Sequence, residues 1–393
     1  MSTANDSNAI PAAQRFTFDG SPELEATIDE INRRVVADIH KVISPEQIDA
    51  LVLAGGYGRG EGGVYVVNNK EQLYNDLDYY LFLKGNKRAN ESAYGAKIKA
   101  IEAARTPEAK CDVEFKIDSL AQLEQSSVTM FSYDLVARST IVTGEETVFQ
   151  RCSKHLDARA IPQSEATRLL FNRCTGLIFA RQRLSKDTLT QDDLEFVQRN
   201  LAKIELAMGD AILTVQGAYH WNGKERNQRL RKLPPVEGIQ SWDSLVAAHT
   251  QGIQFKLRPS HPVESHETLS DQLTRLSLAA RDVWFWVEQR RLNENISTPM
   301  EYATTSKPRC PEHPGWRNLL VNVRRRGIST LYKPYPFRYP REQLYRAMGI
   351  LLWENDSWQT PSKRSLLAAL FRTNPTSLED LIQRYENDWH LFG

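Results

Sequence analysis

The stretch from Leu51 to Phe82 constrains this chain more than any other. It reads Leu-Val-Leu-Ala-Gly-Gly-Tyr-Gly-Arg-Gly-Glu-Gly, passes through a polar segment, and resumes as Asn-Asp-Leu-Asp-Tyr-Tyr-Leu-Phe. An apolar strand therefore runs into a Gly-rich turn, and a second strand follows. Strand side chains alternate, so Asp76 and Asp78 share one face while Leu77 turns to the core. Two carboxylates that close repel unless a cation sits between them, and hard divalent cations such as Mg²⁺ prefer oxygen ligands. A Gly turn offers backbone N–H groups that cradle phosphates. Alone, the turn reads as a tight connection and the Asp pair as a solvated face. In this order, and with a third acidic strand downstream, they point to phosphoryl or nucleotidyl transfer.

That third strand is Cys111-Asp-Val-Glu-Phe-Lys-Ile117. Val113, Phe115 and Ile117 face one way, and Asp112 and Glu114 face the other. Taken together, these residues resemble the polymerase-β-like nucleotidyltransferase superfamily, closest to its aminoglycoside-type and minimal small-molecule branch. Gly55, Gly56, Arg59, Gly60 and Glu61 match the first half of the family pattern, and Asp76 and Asp78 match the second. Gly56 stands where a Ser is more usual. The gap to Asp76 is longer than the family's, which Val64–Leu73 would fill as an extended loop or an extra hairpin. The resemblance covers Leu51–Asp118.

The resemblance implies an α+β fold, a nucleotidyltransferase-type mixed sheet with flanking helices followed by a helical substrate-binding region. It also implies a Mg²⁺-dependent reaction with two ions held by Asp76, Asp78 and a third carboxylate. ATP or another NTP would lie against the Gly55–Gly62 turn, with Arg59 neutralising a phosphate or anchoring the loop. The third carboxylate binds metal and holds the general base for an acceptor hydroxyl. Asp112 fits the family pattern best, because there the acid opens the strand, and Glu114 is the alternative.

Composition agrees with a soluble, cytoplasmic enzyme. Lys plus Arg (50) nearly balance Asp plus Glu (49) over 393 residues, so no global field draws the chain to nucleic acid or membrane. No apolar run is long enough to span a bilayer, and no secretory leader is legible. The cysteines at 111, 152, 174 and 310 lack CxxC spacing, and Cys310-Pro-Glu-His313 is a two-ligand fragment without a second pair.

Along the chain, residues 1–20 read as a disordered tail and 21–150 as the catalytic domain. Within that domain a helix is expected over Pro22–Ile43 and another near Tyr94–Arg105, with a further strand within Phe131–Thr143. A helical nucleotide- and substrate-binding region spans 160–232, with helices at Ser164–Leu184 and Asp192–Trp221. Lys203 and Asp210 fall on one helical face. Lys203 is expected near the triphosphate and Tyr219 against a ring, with Asp210 on the same wall; solvated charges and simple packing are the plain alternatives. Lys224–Lys232 reads as an exposed basic connector. Residues 235–393 read as mainly helical and of unknown role, with a helix at Leu269–Leu292. Tyr332–Arg341 interleaves cations with aromatics, either as a stacking track for bases or as a Pro-rich loop.

The acceptor stays open. It is a small hydroxylated molecule, or a macromolecule (an RNA 3′ end or a protein side chain), or the chain is an inactive nucleotide-binding module. Balanced charge and three intact carboxylates favour the first.

Overall fold

Helix α1 (Pro22–Val42) begins where local chemistry favours a start. The Ser21 side chain accepts from the Leu24 amide and Pro22 occupies the first helical position, where its missing N–H costs nothing. Leu24, Ile28, Ile31, Val35 and Ile39 recur at helical spacing and are buried. The structure, a computed structural model, describes residues 15–260, 265–332, 336–371 and 373–392. Most of the tail expected over 1–20 lies outside the described residues. Its last part does not behave as a tail: Phe16 is buried, and Thr17 forms a β-bridge to Gly62.

The chain is α+β. Strands β1 (Ile48–Leu53), β2 (Val64–Val67), β3 (Lys70–Leu73), β4 (Leu77–Leu83), β5 (Val113–Asp118) and β6 (Thr140–Gly144) form two sheets. The larger is mixed, in the order β5-β4-β1-β6. β1 pairs antiparallel with both β4 and β6, and β4 pairs parallel with β5. Between β1 and β2 lies a single-turn helix, α2 (Gly55–Gly58). A parallel pair needs a long crossover, supplied by α3 (Lys87–Ala109). The helix reaches beyond the expected 94–105, because the Asn86 side chain caps it at the Ala89 amide.

Alternation divides this sheet cleanly. Leu77, Tyr79, Leu81 and Leu83 of β4 join Leu51, Leu53, Val113, Phe115 and Ile117 in one core with α1 and α3. The opposite face buries Ala50, Val52, Tyr80 and Phe82 with Leu123 and Leu135. Those last two belong to α4 (Leu120–Gln125) and α5 (Met130–Ala137). The expected strand over Phe131–Thr143 is thus a helix followed by β6. A reciprocal cap starts the helix: Thr129 and Ser132 each accept from the other's backbone amide.

Two long helices follow, α6 (Gln163–Leu184) and α7 (Gln191–Val215), then α8 (Gly223–Lys232) and α9 (Trp242–Leu257). The expected helix over 192–221 ends at Val215, and Gly217 lies beyond it in the left-handed region at φ +66°. Residues 224–232 are helix rather than connector, and Arg226 is 4% exposed. Helices α10 (His266–Leu292), α11 (Pro299–Thr304), α12 (Gly315–Arg326), α13 (Glu342–Trp353), α14 (Pro361–Phe371) and α15 (Leu378–Phe392) complete the chain.

Two compact units result. The first is Met1–Pro162 with Gln216–Lys232 and Ile253–His261; the second is Gln163–Val215, Leu233–Gly252 and Pro262–Gly393. The first therefore runs past residue 150 and recruits two later segments. In the second, α6 packs along α7 and α10. Buried Glu288 organises this unit by accepting from Thr167 Oγ1 at 2.6 Å and Tyr302 OH at 2.7 Å and by pairing with Arg291 at 2.7 Å. Among the described residues no helix is long and apolar enough to cross a membrane.

The insertion between the turn and Asp76 is the hairpin β2–β3. Its two-residue loop, Asn68-Asn69, has φ of 50° and 60°, the left-handed pair whose twist matches the flanking strands. Asn tolerates this region, Gly favours it, and β-branched residues resist it. Urea unfolding of Asn69→Gly is expected to match or exceed the parent stability, and Asn69→Val to lose ~1–2 kcal/mol.

Candidate functional site

The acidic residues gather because two strands are in register. β4 and β5 pair Leu77 with Val113 and Asp78 with Glu114, so in a parallel ladder Asp78 and Glu114 stand side by side on one face. Asp76 and Asp112 precede their strands at the same end, where the Leu77 amide donates to the Asp112 carbonyl at 2.9 Å. Asp76, Asp112 and Glu114 are exposed and Asp78 is half-buried. Register thus sets Glu114, rather than Asp112, next to Asp78. Burial raises the Asp78 pKa above the usual aspartate range. The charges of Asp76 and Glu114 push it the same way, while Lys116 and Arg59 oppose them.

Lys116 follows Glu114 on the same face, opposite Tyr80 in the ladder, with its ammonium 5.4 Å from the Tyr80 ring. Sequence reading passed over it, although its strand parity with Glu114 was visible. Among the described residues, no three His, Cys, Asp or Glu side chains already converge as a metal cage. What the corner offers a cation is a like-charged, oxygen-only donor set with a carboxyl whose ionisation is disfavoured, and that chemistry suits a hard divalent ion.

The Gly turn leans directly on this corner. The Ala54 amide donates to the Asp78 carbonyl at 2.8 Å. Gly55 has φ +63°, and a Cβ there would lie 2.5 Å from Asp78 Oδ2. Only glycine lets the backbone come that close to the carboxylate. Gly62 faces a similar limit, since a Cβ would meet the Tyr57 ring. Tyr57 is fully buried beneath the turn; its hydroxyl donates to the Gly63 carbonyl at 2.8 Å and accepts from the Tyr74 amide at 2.9 Å. The amides of Gly58, Arg59, Gly60 and Glu61 donate within the turn, and that of Gly62 donates to Phe16. Of the cradle expected over Gly55–Gly62, the amides of Gly55 and Gly56 are not among those committed.

Arg59 and Glu61 hold the turn from below. Arg59 Nη1 donates to Asp134 Oδ2 at 3.0 Å, and its Nε lies 3.9 Å from Glu61. Glu61, 4% exposed, accepts from the Gly223 amide at 2.6 Å and from Lys256 Nζ at 2.8 Å. Burial would raise the Glu61 pKa, but Lys256, Arg226 and Arg59 together hold it below the ordinary glutamate value. Both residues were expected at the nucleotide; here Glu61 is enclosed by protein partners and Arg59 takes the loop-anchoring role. Lys256 and Asp134 had no sequence signal of their own, since their partners lie far away along the chain.

The helical residues expected at the nucleotide divide between the units. Tyr219 belongs to the first and is buried, its hydroxyl donating to Asp134 at 3.3 Å and accepting from Arg226 at 3.0 Å. It completes the same polar network instead of presenting a ring for stacking. Lys203 and Asp210 belong to the second unit. Lys203 lines a cavity of about 980 Å³ with Phe196 and Trp389. Asp210 is buried, 3.1 Å from Nε2 of the fully buried His249. Comparison with family models, with curated proteins and with solved structures finds no match.

Breaking a buried, hydrogen-bonded pair leaves a charge without compensation and costs about 3–5 kcal/mol. Lys256→Met and Glu61→Gln are each expected to fall in that range by chemical denaturation, and the double variant is expected to lose much less than their sum. Glu61 binds its proton less tightly folded than unfolded, so its contribution is full above the ordinary glutamate pKa and lost as pH falls through the folded one. The destabilisation caused by Glu61→Gln is therefore expected to shrink in acid. Gly55→Ala should lose at least ~1–2 kcal/mol from the positive φ alone.

Proposed function

We propose that this chain is a Mg²⁺-dependent nucleotidyltransferase that moves AMP from ATP onto a hydroxyl of a small molecule and releases pyrophosphate. One observation carries the reading: Asp78 sits beside Glu114 in register and against the positive-φ backbone of Gly55. Carboxylates and the Gly-rich turn thus share one corner of the sheet. The mixed sheet with flanking helices supports a polymerase-β-like nucleotidyltransferase fold, and near-balanced charge supports a small acceptor.

Asp76 and Asp78 would hold Mg²⁺, with Glu114 as the third carboxylate. When bound, the ions neutralise charge developing on the transferred phosphoryl group and on the leaving pyrophosphate. The chain's own residues supply the rest. The Gly55 and Gly56 amides face the triphosphate, and Lys116 balances its negative charge. Glu114 orients the acceptor hydroxyl and receives its proton. The acceptor oxygen forms a bond to the α-phosphorus as the α–β bridging P–O bond breaks, and that bond's electron pair leaves with pyrophosphate. Arg59, Glu61, Lys256 and Tyr57 keep the turn rigid without touching substrate.

Incubation with ATP labelled at the α-phosphate, Mg²⁺ and a low-molecular-weight extract is expected to move label into a small molecule. Label appearing only in RNA or protein would shift the acceptor class, and no transfer to any acceptor would overturn the activity. Asp78→Asn should lower turnover by about two orders of magnitude or more. Glu114→Gln should retain ATP and lose transfer, while Asp112→Asn keeps most activity; the reverse ranking would give the role to Asp112.

Acidity gives a separate check. Folded Asp78 holds its proton more tightly than the unfolded chain does, so the metal-free protein loses stability as pH rises from the ordinary aspartate pKa through the raised one. Asp78→Asn removes that loss. Its metal-free melting temperature should exceed the parent's at neutral pH, and the difference should disappear in acid.

A further inference from the structure

Helix α12 is built inside out. Its buried residues are Asn318 and Asn322, while Trp316, Leu320 and Val321 are 59%, 61% and 42% exposed. The asparagines set this orientation. Asn318 Nδ2 donates to the carbonyls of His313 and Phe337, and Asn322 Nδ2 to those of Pro336 and Arg338, at 2.9–3.2 Å. Clamping the backbone at residues 336–338 with amides turns the helix's apolar stripe outward. Ile328, Leu331 and Phe337, in segments packed against α12, are exposed as well, at 70%, 46% and 58%. An apolar patch of this size is costly to leave in water and marks an interaction surface.

The charged residues of α12 itself are all arginines. Arg317, Arg324 and Arg325 are exposed on α12. Among the described residues none of the three has an ion-pair partner, and Arg317 only lies over the Trp316 ring at 5.0 Å. On the helical wheel, Leu319, Leu320, Val323 and Trp316 fall within one sector, with Arg317 and Arg324 along its edge. Apolar residues including Trp, flanked by unpaired arginines, suit a surface that is apolar within and anionic at its rim.

We propose that the outward face of α12 docks on an anionic lipid bilayer. Trp316 and Leu320 enter the acyl boundary while Arg317 and Arg324 meet lipid phosphates. A second copy of the chain fits poorly, because a two-fold contact would set arginine against arginine. Nucleic acid fits poorly as well, because most of the exposed apolar residues are aliphatic and offer no ring for base stacking.

Flotation of the full chain with vesicles tests this. Binding is expected to vesicles of phosphatidylcholine mixed with phosphatidylserine, to weaken as salt rises, and to be near background with phosphatidylcholine alone. Arg317→Gln and Arg324→Gln should each lower the partition coefficient about fivefold, and Arg325→Gln, on the far side of the helix, should lower it less. Trp316→Ser with Leu320→Ser should abolish insertion while leaving the circular dichroism spectrum unchanged. Equal binding to both vesicle types, or to neither, would overturn the proposal. So would a concentration-dependent dimer dispersed by the same substitutions, or retention of RNA by the arginines.

Discussion

A carboxylate kept ionised inside the protein is what the turn depends on. Glu61 closes the Gly-rich segment, and its two oxygens are satisfied by an amide and an ammonium contributed from residues 223 and 256. An ionised carboxylate out of water is tolerated only with such partners. The first unit is therefore discontinuous for a physical reason: the acid at residue 61 needs donors that the chain supplies only much later. Arg59, Asp134, Tyr219 and Arg226 extend the same network. The result is a turn held by side chains, with its backbone at Gly55 set against Asp78 in the acidic corner.

Strand β4 was legible as the second strand because, after Asp78, it is a run of aromatic and aliphatic residues bounded by polar Asp76 and Lys84. Helix α1 was legible because its apolar residues recur at period 3.6. Segments whose identity rests on a pairing were not. Residues 131–143 alternate enough to pass for a strand, and the decision falls to a Thr129–Ser132 cap. Helix α8 is almost wholly polar and reads as a connector; it is a helix whose Arg226 is buried against Tyr219 and backbone carbonyls.

The acidic corner divides along the same line. Asp76 and Asp78 could be placed on one side from alternation alone. Which of Asp112 and Glu114 stands beside Asp78 depends on the offset of one strand against another, which no single strand encodes. Register sets Glu114 beside Asp78 and leaves Asp112 at the strand mouth. Lys203 and Asp210 share a helical face in sequence, yet His249 takes up Asp210 within the second unit. Helical spacing identifies which residues lie together on a helix and is silent about what that face meets.

The interleaving of the two units has a consequence for how the protein is made. A chain emerging from the ribosome presents β1, the Gly turn and the acidic strands early, while Lys256 is still unsynthesised. Until then Glu61 has neither its ammonium partner nor the Gly223 amide, and the turn lacks its clamp. Domains commonly fold in order of appearance, but here the first cannot finish before most of α6 to α9 has left the exit tunnel. Nascent strands with open edges are prone to wrong pairing during such a wait, and the two asparagines that close β2–β3 into its own short ladder occupy one such segment early.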